Sequence, residues 1–73
     1  MTEQEKIALI EETFDVEEGT LTPETELDDV DEYTSMTKLG LIVMFDDEFD
    51  VKVTGDMIKG FKTVADILAL MNK

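Results

Sequence analysis

Apolar residues return at helical spacing in separate stretches of this 73-residue chain, with long polar intervals between them. Ile7, Ile10 and Phe14 recur at i, i+3 and i+7 with glutamates between them, and Thr2 followed by Glu5 has the form of a capping box. A first helix over residues 3–14 is predicted. From Asp15 to Thr34 no helical period persists, and Gly19, Thr20, Thr22 and Pro23 punctuate the stretch. It reads as a long loop anchored by Val16, Leu21, Leu27 and Val30, because a loop of that length is uncommon in a small domain unless it has a task or anchors of its own.

A second helix is predicted from Ser35 to Phe49, ahead of the short β-favouring stretch Val51-Lys52-Val53. Thr54-Gly55-Asp56 can start another turn, so Met57 and Ile58 form a short third helix that Gly60 stops. Thr63 with Asp66 is a weaker capping box, and Val64, Ile67, Leu68 and Met71 form one stripe of a last helix running to the C-terminus, with Phe61 plugging the core beneath it. No strand pair is credible and no internal repeat is present. The expected fold is all-α: a small four-helix bundle with three longer helices, one short helix and a long loop between helices one and two. Residues 1–73 make one domain, since so short a chain cannot support two cores.

The second helix is more apolar than its place in such a bundle requires. At about 100° per residue, Leu41, Ile42, Phe45 and Phe49 share one side and suffice to face the core. Met36, Leu39 and Val43 fall on another sector, next to Gly40, Asp46 and Asp47. Two readings are open: an apolar strip rimmed by charge is a docking surface, or the small bundle buries the strip beneath the long loop. Lys38 falls near the core sector and is close enough to the helix start to snorkel outward. Asp46, Asp47 and Glu48 fall in the last turn, where carboxylates oppose the helix dipole; tolerating that opposition points to a use for the charge.

Composition narrows the function. Nineteen acidic residues face six basic ones, for a net charge of −13, while 42% hydrophobic content and clear periodicity argue for a folded chain. Self-repulsion on this scale is screened by salt, so a melting temperature that rises with ionic strength is expected. Such a surface cannot neutralise phosphates, which excludes nucleic acid and anionic membranes as partners and favours basic proteins. The loop acids Glu24, Glu26, Asp28, Asp29, Asp31 and Glu32 keep the loop solvated, with partner steering or weak cation binding as the other reading.

With no cysteine and no histidine, thiol chemistry, zinc-thiolate sites and histidine bases are missing. Asp46, Glu48 and Asp50 alternate, but Val51 stands where a calcium-binding EF-hand loop needs glycine, so no metal site is assigned. The polar, acidic start of the chain and the lack of an apolar run near the roughly 20 residues of a membrane span lead to the expectation of a soluble, cytoplasmic chain, which is also expected to be a monomer.

Ser35 opens the second helix. Serine is a favoured N-cap, and Thr34 can perform the same task, so the bland reading of Ser35 is a cap. A triad is excluded, and a Ser35-Lys38 pair lacks an identifiable oxyanion site, so no catalytic residue is assigned. The other reading makes Ser35 an attachment point for a phosphate-linked arm, which suits a helix N-terminus with its open N–H groups and positive dipole end.

Taken together, the Ile7/Ile10/Phe14 helix, the long loop with Leu27, Ser35-Met36, Leu41-Ile42, Phe45-Asp46-Asp47-Glu48-Phe49 and the closing Thr63-Val64-Ala65-Asp66-Ile67 resemble the acyl and peptidyl carrier proteins. The resemblance covers nearly the whole chain. It implies a carrier without catalytic activity of its own, bearing 4′-phosphopantetheine from coenzyme A on Ser35 and shuttling acyl or aminoacyl thioesters. It also implies a phosphopantetheinyl transferase as partner, along with acyl-loading and acyl-transferring enzymes whose basic surfaces dock on Met36, Leu39, Val43, Asp46, Asp47 and Glu48.

Two departures stand out. Thr34 occupies the place where the family normally has aspartate, and Lys38 and Gly40 stand where carriers of housekeeping fatty-acid synthesis tend to present acids. The second departure points to a specialised stand-alone carrier, for which a polyketide-like, aminoacyl or surface-sugar pathway is one setting; Tyr33 takes the place of a tryptophan familiar in that type. The first leaves an alternative: a carrier-like interaction module that is not modified because Thr34 replaces aspartate.

Overall fold

A computed structural model describes residues 1–71. Helix α1 spans Glu3–Phe14 and begins in the capping box that Thr2 and Glu5 predict: Glu5 N–H donates to the Thr2 hydroxyl at 3.1 Å and Thr2 N–H to the Glu5 carboxylate at 2.9 Å. The Thr2 N–H first, and the Thr2 hydroxyl second, hold the Glu5 carboxyl below its ordinary range. The helix ends on Asp15 in the left-handed region (φ 59°), a conformation that aspartate accepts more readily than most residues.

Helix α2 spans Ser35–Met44, and the next turn, Phe45–Phe49, widens into a π-helix before Asp50 closes it at φ 55°. The single helix expected over 35–49 therefore changes pitch near its end. The wider turn keeps Phe45 and Phe49 both in the core, ring centroids 5.6 Å apart, while Asp46, Asp47 and Glu48 point outward.

Helices α3, Gly55–Lys59, and α4, Val64–Leu68, are each five residues long. The expectation of a long last helix is thus corrected. Beyond Leu68 the chain tightens, with Leu70 and Met71 N–H reaching back three residues to the carbonyls of Ile67 and Leu68 at 3.1 and 3.0 Å. That turn drops Met71 into the core and presents its carbonyl to the Lys6 ammonium at 2.9 Å. The part of the expected helix over residues 72 and 73 lies outside the described residues.

Among the described residues no strand forms, and the one backbone bridge is an isolated antiparallel pairing of Glu26 with Thr63. It belongs to a seam where the long loop meets α4. Leu27 N–H donates to the Lys62 carbonyl, Val64 N–H to that of Thr25, and Ala65 N–H to that of Pro23, at 2.9 to 3.0 Å. The loop thereby satisfies N–H groups that the start of a short helix would otherwise leave open. Asp66 adds its carboxylate, which accepts from the N–H groups of Lys62 and Thr63 and is held below the usual range by them.

Helix α1 packs on α2 and α4. Their shared core contains Ile10, Phe14, Leu41, Met44, Phe45, Val64 and Ile67, closed by Leu21 and Leu27 from the loop and by Val53, Ile58 and Met71. Gly40 fits the α1–α2 contact: a Cβ there would meet the Thr13 methyl at 3.1 Å.

One buried acid was not expected. Glu11 lies at the edge of the α1 stripe, 3% exposed, and its carboxylate accepts from Gly19 and Leu21 N–H, both at 2.9 Å. It fastens the start of the loop to α1. The signal was its position, four residues after Ile7 and three before Phe14, on the same helical face.

Candidate functional site

The end of the loop and the first turn of α2 settle which of two adjacent hydroxyls caps the helix. Thr34 has extended backbone (φ −111°, ψ 178°), and it accepts from Thr37 N–H at 3.5 Å while donating its own N–H to the Thr37 hydroxyl at 2.8 Å. Thr37 also shares its hydroxyl proton between the carbonyls of Glu32, in the loop before the helix, and Thr34, at 2.8 and 3.0 Å. Two threonines thus perform what a serine or aspartate with glutamate performs elsewhere. The cap reading of Ser35 is corrected accordingly: Ser35 is the first helical residue and is exposed.

No protein group engages the Ser35 hydroxyl among the described residues, and the N–H groups of Ser35 and Met36 have no acceptor there. The first turn holds no carboxylate. What the geometry offers at this corner is a free hydroxyl beside open N–H donors at the positive end of a ten-residue helix.

Tyr33 and Lys38 flank it. The Tyr33 ring packs on Phe14, centroids 5.5 Å apart, and the Lys38 ammonium lies 4.9 Å from the Tyr33 centroid over the ring. The Tyr33 hydroxyl is buried without a partner among the described residues, and its acidity falls because burial, and then the Asp28 charge, disfavour the phenolate. Lys38 snorkels by turning onto this ring. Residue spacing alone does not reveal that contact, because Tyr33 precedes the helix and obeys no helical period.

From Ser35 the exposed face of α2 continues as Met36, Leu39 and Val43, which are 82%, 64% and 59% exposed. The strip lies in solvent and not beneath the loop. Its companions on the helix, Leu41, Met44 and Phe45, are buried, while Ile42 is half-buried. Met44 joins the core although it was not counted with the core sector.

At the far end of the strip the three acids are not equivalent. Asp46 forms an ion pair with Lys52, whose ammonium is held above its ordinary range first by that hydrogen bond and then by the Asp46 charge. Asp47 and Glu48 are exposed and enter no ion pair among the described residues. Among those residues, too, no three carboxylates converge as a metal site, and no helix is long and apolar enough to cross a membrane.

Comparison with known proteins places this geometry. A family model described as a phosphopantetheine attachment site matches residues 7–71. The chain is also similar to meromycolate extension acyl carrier proteins of Mycobacterium tuberculosis and Mycobacterium bovis, with 30% identity over 77 residues, covering 100% of this chain and 67% of each relative. No solved structure gives a significant match.

Proposed function

The chain belongs to the acyl carrier proteins of the phosphopantetheine-attachment family, and from that premise we propose that Ser35 bears the arm and that α2 presents it to partner enzymes. The cofactor of this family is covalently attached 4′-phosphopantetheine, and its members work with a phosphopantetheinyl transferase and biosynthetic enzymes. The residues present fit the group. Ser35 combines exposure, an unengaged hydroxyl and two neighbouring open N–H groups, and this combination carries the proposal.

When attached, the arm supplies the thiol to which an acyl group is joined, so the chain needs no cysteine of its own. Ser35 anchors the arm on a rigid helix end, where tethering raises the effective concentration of cargo at a docked enzyme. The base that takes the Ser35 proton is assigned to the transferase, since this chain has no histidine and no carboxylate in the first turn of α2. Thr34 holds the helix end open without adding charge.

Met36, Leu39 and Val43 give partners a short-range apolar contact, and Asp47 and Glu48 steer basic surfaces towards it. Asp46 contributes less, because Lys52 already neutralises it. The chain meets its partners as a cytoplasmic monomer in this reading. Its relatives are named as acyl carriers of meromycolate extension, which favours acyl over aminoacyl cargo here.

Intact mass after incubation with coenzyme A, Mg²⁺ and a transferase tests the site. One added arm on the native chain and none on Ser35→Ala is the expected result. An addition that survives Ser35→Ala would overturn the assignment. No addition to the native chain or to Thr34→Asp with several transferases would favour an unmodified docking module.

A further inference from the structure

Lys38 is a cation in an unusual place. From Tyr33 to Phe45 the sequence holds no carboxylate, although acids make up 19 of the 73 residues, and Lys38 is the one charged residue in that window. It enters no ion pair among the described residues, whereas Lys52 pairs with Asp46. Its position is one helical turn after Ser35, at i+3, where side chains on a helix are neighbours. The ammonium is parked on the Tyr33 ring at the same end of the helix.

Resting on the reading of Ser35 as the attachment site, we infer that Lys38 is the phosphate-positioning residue of this carrier: its ammonium leaves the Tyr33 face and pairs with the phosphodiester on Ser35. A four-carbon stem carrying a point charge can make that swing with the helix held still. A phosphodiester is a stronger partner for an ammonium than an aromatic face, because it carries full charge and accepts hydrogen bonds. The open N–H groups of Ser35 and Met36 approach the phosphate from the helix axis and Lys38 from the side, so the root of the arm is held while the rest stays free. Within α2 itself no carboxylate competes for Lys38 or repels the phosphate; the Asp28 charge acts on Tyr33 from the loop.

The test compares unloaded and loaded protein by NMR, with loading at Ser35 verified by mass. In the unloaded chain the Lys38 ε-methylene protons are displaced upfield by the Tyr33 ring current. On loading they shift downfield towards the values of Lys59 and Lys62, which keep their own signals unchanged. The phosphodiester ³¹P resonance of loaded Lys38→Met differs from that of the native protein, and Lys38→Arg restores it. The native–Met difference collapses near 1 M salt, where screening acts within about 3 Å. A loaded protein whose Lys38 signals stay on the ring and whose ³¹P resonance ignores both variants overturns the inference and leaves the attachment site standing. Failure to load at Ser35 overturns the attachment site itself, and the role of Lys38 with it.

Discussion

The Glu11 carboxylate accepts the backbone N–H of Leu21 at 2.9 Å, so a residue buried in α1 fixes the loop ten positions downstream. The same oxygen also receives Gly19 N–H. Glu11→Ala strands the buried Leu21 donor and costs about 2 kcal/mol, whereas Glu11→Gln keeps an acceptor oxygen and costs about 1 kcal/mol. Urea unfolding midpoints measure both. A Glu11→Ala midpoint equal to that of the native chain would show that the carboxylate does not hold the loop.

Capping and attachment fall on adjacent residues, which separates stability from loading. Thr34→Ala removes the cap and lowers stability by about 1 kcal/mol, while Thr34→Asp retains a capping oxygen and leaves stability nearly unchanged. Ser35→Ala changes stability by less than about 0.5 kcal/mol, because its hydroxyl has no hydrogen-bond partner among the described residues. Thermal unfolding of the three variants checks this; a large loss on Ser35→Ala would return the capping role to serine.

Gly40 and Thr13 are coupled across the α1–α2 contact. The Thr13 hydroxyl donates to the Leu9 carbonyl at 2.8 Å, so its methyl cannot rotate away from a new Cβ without losing that bond. Gly40→Ala gains about 1 kcal/mol of helix propensity but loses most of it to the contact. In a Thr13→Ser background, which removes the methyl, the gain is realised. A double-mutant cycle should give a coupling of about 0.5 to 1 kcal/mol. Strict additivity would mean that the helices part freely.

Tyr33 provides a pH readout, as the chain's single tyrosine in the absence of tryptophan. Its folded-state pKa is raised above the ordinary value of 10.0, by burial first and Asp28 second. The folded state therefore holds the proton more tightly, and this contribution to stability is complete below pH 10 and disappears as the pH rises through the folded pKa. Alkaline absorbance titration should place the folded midpoint above that of the urea-unfolded chain. Coincident midpoints would contradict the burial.

The sequence made α1 legible because its cap and apolar stripe are local, and it identified Met36, Leu39 and Val43 because three apolar residues outside the core sector are visible on a helical wheel. Glu11 was equally visible on that wheel, but its polarity masked a position that only the loop's N–H groups explain. The end of α4 escaped because stripe and cap fix where a helix starts and faces, whereas the tightened turn after Leu68 answers to the Lys6–Met71 contact some 65 residues apart. The start of α2 at Ser35 was legible, yet the freedom of that residue from capping depends on Thr37 completing a threonine pair.

The seam between residues 23–27 and 62–65 also sets the order in which the molecule assembles. Helices of five residues do not persist alone, because nucleation costs more than so few turns return. Helix α4 must therefore wait until Pro23, Thr25 and Leu27 arrive to meet it across nearly forty residues of chain, an encounter that belongs late in folding. Contacts that form after the folding barrier govern how fast the protein comes apart rather than how fast it folds. A seam that closes late predicts that weakening it speeds unfolding more than it slows refolding, with α2 itself left untouched.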